Sequence, residues 1–205
     1  MVKLRLPRTI RLARMDEVPD QKDIQELVRQ SADNNIVEGY KLSFNLDKKH
    51  PFNFFAEINI DNNRLWSLFK SMMMAMSEPQ SLLTAFRGDS LASAGYSTYH
   101  DKYSLYNGLS KYEKELTCDV FIKFGVIHEE QNTRELILVA SSKYIQYWGR
   151  DISYFRGLMD SYSLYEIPHL EFIDNYPMIT TSLDLYEPDV LTTADLIKQL
   201  RIIFM

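Results

Sequence analysis

Fourteen residues, Thr117–Glu130 (TCDVFIKFGVIHEE), hold the only cysteine of the chain, a histidine and three carboxylates. Such side chains supply nucleophiles, metal ligands and general acids and bases, and each of these chemistries needs a particular spacing. A nucleophile must be held against a base, often at a sharp turn such as Gly-x-Ser-x-Gly, and the chain has no such pattern. Cys118 is followed by Asp119, whose nearby charge would oppose thiolate formation, so Cys118 reads as a small buried thiol. The histidines, His50, His100, His128 and His169, lie no closer together than 28 residues, and each takes a simple loop or strand-end position instead of a metal-ligand pattern. The seven glycines are too scattered to begin a phosphate-binding fingerprint. Glu129 and Glu130 are neighbours, and in a strand neighbouring side chains point to opposite faces, so they read as solvated charges at a hairpin tip. His128 shares the parity of the apolar residues before it. It either binds a substrate or hydrogen-bonds a backbone carbonyl, and the second is expected. No catalytic, cofactor-binding or metal-binding residue is assigned, and no cofactor is expected.

The elements that must position these residues follow from the periods of the sequence. Val120, Ile122, Phe124 and Val126 alternate along one face of a strand, and Glu135–Ser141, with its LILVA run, pairs with it across Gln131-Asn132-Thr133. Tyr40–Leu46 and Phe52–Ile60 predict an earlier hairpin, joined by the polar loop Asp47–Pro51. The helices expected are one to about Ala32 with Ile24, Leu27 and Val28 on one face, and one capped by Asp61-Asn62-Asn63 whose stripe is Leu65, Leu68, Phe69, Met72, Met73 and Met76. Three more follow, marked by Leu105, Leu109, Tyr112 and Leu116, by Ile152, Phe155, Met159 and Tyr162, and by Leu196, Ile197, Leu200 and Ile203. Leu82–Phe86, Tyr96–His100, His169–Ile173 and Met178–Leu185 read as short strands, and Lys143–Trp148 as a further short strand or a turn. The class is α+β, a mostly antiparallel sheet of hairpins flanked by helices in one domain over residues 1–205. Helix–hairpin–helix occurs at about 20–76 and 103–165, which raises a pseudo-repeat, although the two halves share no residue-level similarity.

Composition narrows the function. With 45% hydrophobic and 25% charged residues, the chain has the balance of an ordinary globular protein. One cysteine cannot form an internal disulfide, and no signal-like start or apolar run of roughly 20 residues is present, so a cytoplasmic protein without membrane passage is expected. Residues 1–14 carry Lys3, Arg5, Arg8, Arg11 and Arg14 and no acid; removing those five charges from the net −5 leaves −10 on residues 15–205. So acidic a body repels nucleic acid and attracts a basic partner. The basic start alternates with Val2, Leu4, Leu6, Ile10 and Leu12, the period of a strand with one face in water, and Pro7 places it at a sheet edge.

Eleven of the 13 tyrosines fall between Tyr96 and Tyr176. Tyrosine and tryptophan anchor protein interfaces because a rigid ring with a polar tip gains contact area at little entropic cost. Tyr99, Tyr103, Tyr106, Tyr144, Tyr147 and Trp148, with Glu129 and Glu130, are therefore the candidate partner-binding residues. The runs CDVFIKFGVIHEE, RELILVASSKYIQYW and HLEFIDNYPMITTSLDL resemble the C-terminal parts of bacterial immunity proteins that neutralise polymorphic or contact-dependent toxins. The resemblance covers about residues 103–185 and implies a cognate toxin, often a basic nuclease, whose active site is blocked; it carries over no functional residue. The competing expectation is an enzyme or small-ligand binder whose pocket gathers His128, Tyr147 and Glu171. A third is a subunit that self-associates through its tyrosine face.

Overall fold

The computed structural model describes residues 3–46 and 51–204. Seven of its strands form one antiparallel sheet: β2 (Gly39–Phe44), β3 (Phe54–Asn59), β4 (Gln80–Phe86), β5 (Gly95–His100), β6 (Ile122–Glu130), β7 (Thr133–Val139) and β8 (Ile145–Gly149). Their order across the sheet is β2-β3-β8-β7-β6-β4-β5. The meander β6–β7–β8 thus occupies the centre, with the hairpin β2–β3 on one side and β4–β5 on the other. The two hairpins are linked by α2 (Asn62–Ala75), which crosses the three central strands. The fold is α+β with an antiparallel sheet, as the sequence predicts.

The main core lies between one face of this sheet and five helices: α2, α3 (Lys102–Leu109), α4 (Glu113–Cys118), α5 (Ile152–Ser161) and α6 (Thr193–Phe204). Every residue of the α2 stripe is buried, as are Val120, Ile122, Phe124 and Val126. Phe54, Phe69, Phe124 and Phe155 are among the largest fully buried side chains, and burial of each contributes roughly 1.5–3 kcal/mol. Gly108 brings α3 against the ring of Phe204, where a Cβ would stand 2.3 Å from the ring edge. A lysine side chain enters this core. Lys143, at φ 64°, follows β7, is 2% exposed, and its Nζ donates to the carbonyls of Leu116 (2.9 Å) and Ile122 (3.2 Å). Burial drives its pKa down to about 7, against the opposing pull of Asp119 and Cys118.

Several sequence expectations are corrected. Of the described part of the opening strand, Lys3 makes a single antiparallel bridge to Val37 and only β1 (Ile10–Leu12) is laddered, pairing with β9 (Met178–Thr180) in a separate two-stranded sheet. Leu4, Leu6 and Leu12 do pack with Ile10 against Ile36, Val120 and Ile173, so the alternation reports burial, not strand pairing. Pro7 sits in a turn, accepting from the Ile10 amide, and not on a strand. His169–Ile173 and Leu183–Leu185 are not strands: Asn175 Oδ1 accepts from the Phe172 amide (2.7 Å) to close a 3-10 turn at Ile173–Asn175, and a second 3-10 turn spans Leu183–Leu185. The helical period from Leu105 to Leu116 is broken at Ser110–Tyr112, where Tyr112 leaves helical geometry at φ −121°. Asp61 does not cap α2 with its side chain, because its Oδ1 accepts instead from the Arg5 amide (2.8 Å). Ile203 is 40% exposed, and Phe204 takes its core position. The helix α1 (Lys22–Gln30) forms, but none of its residues is fully buried. The pseudo-repeat does not hold as two equal halves, since the first hairpin has two strands at the margin and the second continues into the central three. The Asp47–His50 part of the predicted hairpin loop, with His50, lies outside the described residues.

Candidate binding site

The strand register fixes what the other sheet face carries. Phe55, Trp148, Leu136, Ile127, Ser81 and Tyr99 are successive cross-strand partners from β3 to β5, so their side chains form one row across that face. The rings of Phe55 and Trp148 lie 4.8 Å apart. None of the helices of the main core packs here; the β4–β5 connection folds over instead, and its Leu91 and Ala94 meet Leu83, Ile127, Leu136 and Leu138. Leu91 divides the face into two grooves. One, of about 530 Å³, is lined by Tyr96, Tyr99, Ile127, Glu129, Arg134 and Leu136. The other, of about 560 Å³, has Arg87, Lys123, Leu138, Tyr144, Gln146 and Trp148 in its walls.

The candidate partner-binding residues are therefore divided. Tyr99, half exposed, and Glu129 share the first groove, with Glu129 held by Arg134 at 2.6 Å. Tyr144 and Trp148 share the second. Tyr144 packs on Phe172 (4.6 Å), and burial, followed by the charges of Asp174 and Glu57, raises its hydroxyl pKa. Glu130 extends into solvent at the hairpin tip, on the opposite face from Glu129. Tyr103 is 65% exposed at the start of α3. Tyr106 is packed between Trp66 (6.1 Å) and the Lys70 ammonium (4.5 Å), and Tyr147 faces the core against Phe54 (5.5 Å).

The chemically suggestive residues also find places. His128 is 3% exposed, and its Nδ1 donates to the Pro79 carbonyl (2.8 Å), the structural role expected of it. The Cys118 thiol receives the Asn62 side-chain amide at 3.4 Å, and it is half-buried instead of fully buried. His100 donates to the Phe204 carbonyl at 3.0 Å. His169 is exposed. His128, Tyr147 and Glu171 do not converge: Glu171 accepts from the Asn35 amide (2.6 Å) and the Tyr176 hydroxyl (2.7 Å) elsewhere.

The acid that does meet Tyr147 is Glu135. It is 8% exposed, its Oε1 accepts from the Tyr147 hydroxyl (3.3 Å) and its Oε2 from the Ser77 amide (3.3 Å). Burial, then the charge of Glu135, raises the Tyr147 pKa. Both line a cleft of about 570 Å³ between the C-terminal end of α2 and the N-terminal end of α5, with Met72, Phe155, Leu158 and Arg150. Glu135 was overlooked in the sequence as the start of a strand, yet a signal was there. It shares the parity of Ile137 and Val139, which places a carboxylate on the buried face. Among the described residues no group of three or more His, Cys, Asp or Glu could hold a metal ion, and no helix is long and apolar enough to cross a membrane. Compared with known proteins, the chain matches no family model, no curated protein and no solved structure at a significant level.

Proposed function

We propose that this chain is a protein-binding module that docks a basic partner on the sheet face opposite its main core, in the grooves beside Leu91. In the form implied by the resemblance to immunity proteins, it is a cytoplasmic inhibitor that occludes the active site of a cognate toxin. The observation that carries the reading is the pair of grooves on either side of Leu91, one walled by the half-buried ring of Trp148 beside Phe55 and the other by the exposed Tyr96 and Tyr99, while Ile127 and Leu136 lie buried beneath Leu91 between them. Accessible aromatic rings in grooves with charged side chains at their rims are common features of an interface. The net charge of −5 over the whole chain favours long-range attraction to a basic protein.

The test is to isolate the chain with its bound protein from the native host, identify that protein and measure the affinity of the purified pair. Trp148→Ala and Tyr99→Ala should each weaken it by at least about tenfold, and raised salt should slow association. A partner that binds both variants as tightly as the parent chain, or purification of the chain with only a small molecule bound, would refute the reading.

A further inference from the structure

We infer that the cleft beside Glu135 binds an organic cation, an ammonium or guanidinium group carried on an apolar body. A carboxylate removed from water needs a counter-charge or a full set of hydrogen bonds, and leaving it without them is unfavourable. Glu135 is more than nine-tenths buried and has two hydrogen bonds, both long at 3.3 Å. Among the described residues no Lys or Arg nitrogen lies within 4.0 Å of it. It does not face a packed interior: it lines a cleft of about 570 Å³, within the size range of small-molecule sites. The missing counter-charge therefore has a place to come from.

The rest of the cleft fits such a group. Met72, Phe155 and Leu158 offer apolar and aromatic wall to a stem, and the Tyr147 hydroxyl stands beside the carboxylate. Asp151, also in the lining, is exposed and caps α5 through its Oδ1, so Glu135 is the buried carboxylate of the cleft. Arg150 is exposed in the lining, without a carboxylate within 4.0 Å among the described residues. Its positive charge disfavours a ligand with a second cationic group. The same ammonium chemistry is available from a free amine or from a lysine side chain of a protein partner.

Hexylamine, hexanol and Nα-acetyl-lysine methylamide are the probes, titrated into the full chain by NMR and calorimetry. Hexylamine should bind at least tenfold more tightly than hexanol, and Glu135→Gln should abolish that difference. The same substitution should raise the melting temperature of the ligand-free chain, since it removes a buried charge and keeps the shape. Surface substitution Arg150→Gln, which leaves the fold intact, should tighten hexylamine at least twofold. Saturable binding of hexylamine without the blocked lysine identifies a free amine as the ligand, and the converse identifies a partner's side chain. Equal affinity for amine and alcohol, no saturable binding of either cation, or hexylamine affinity unchanged by both substitutions overturns the inference.

Discussion

The two faces of the seven-stranded sheet are both rich in apolar residues but use them differently. The helix-covered face buries Phe54, Phe124, Ile137 and Val139 completely against side chains from five helices. On the open face Trp148 and Phe55 are only half-buried, sheltered by each other and by one connection carrying Leu91 and Ala94. Burial against helices is a stability device; lateral packing that leaves ring faces accessible retains surface for another molecule. The distinction lies in what stands above each residue, and not in its type.

The sharpest way to break this comparison is truncation on each side. Phe124→Ala should cost about 3–5 kcal/mol in urea unfolding, because a cavity opens beneath the helices. Trp148→Ala should cost less than half as much; equal losses would mean that the open face is core.

A second test concerns Lys143, the cation held within the covered side. Its folded pKa of about 7 lies below the ordinary 10.5, so between those values the unfolded chain binds the extra proton. Stability should therefore rise with pH across that window, with a slope of up to about 1.4 kcal/mol per pH unit. Tyr144 and Tyr147, with raised pKa values, act in the opposite sense only above about pH 10, where the unfolded chain begins to lose their protons. Lys143→Met should flatten the rise between pH 7 and 9.5, as measured by urea unfolding at each pH.

The smallest effect belongs to the open rim. Glu129 and Arg134 are both more than two-fifths exposed, so Arg134→Gln should change stability by at most about 0.5 kcal/mol, less at high salt.

Much of the fold was legible because burial writes a period into the chain. The α2 stripe and the parity of Val120–Val126 led directly to the core, and both hairpins paired as expected. Strand order was not legible: nothing local in β3 or β4 says that three later strands will separate them. Nor was the difference between burial and pairing, as Leu6 demonstrates by sharing the buried parity outside any ladder. The candidate residues suffered from the same limit. Tyr99 and Trp148 reached the open face while Tyr147, one residue away from Trp148, reached the core, because adjacent strand positions alternate. Glu135 was missed for the opposite reason, a charged type hiding a buried parity.

The strand order also has a consequence for synthesis. As the chain emerges from the ribosome, the marginal hairpins β2–β3 and β4–β5 are complete about twenty residues before β6 begins, yet neither pairs with the other in the finished sheet. Each must wait with one inner edge unfilled until the meander arrives between them. Such edges invite pairing with other chains. The period between residues 100 and 149 is therefore when the inner edges of both hairpins stand unpaired and a nascent copy of this protein is most exposed to pairing with other chains.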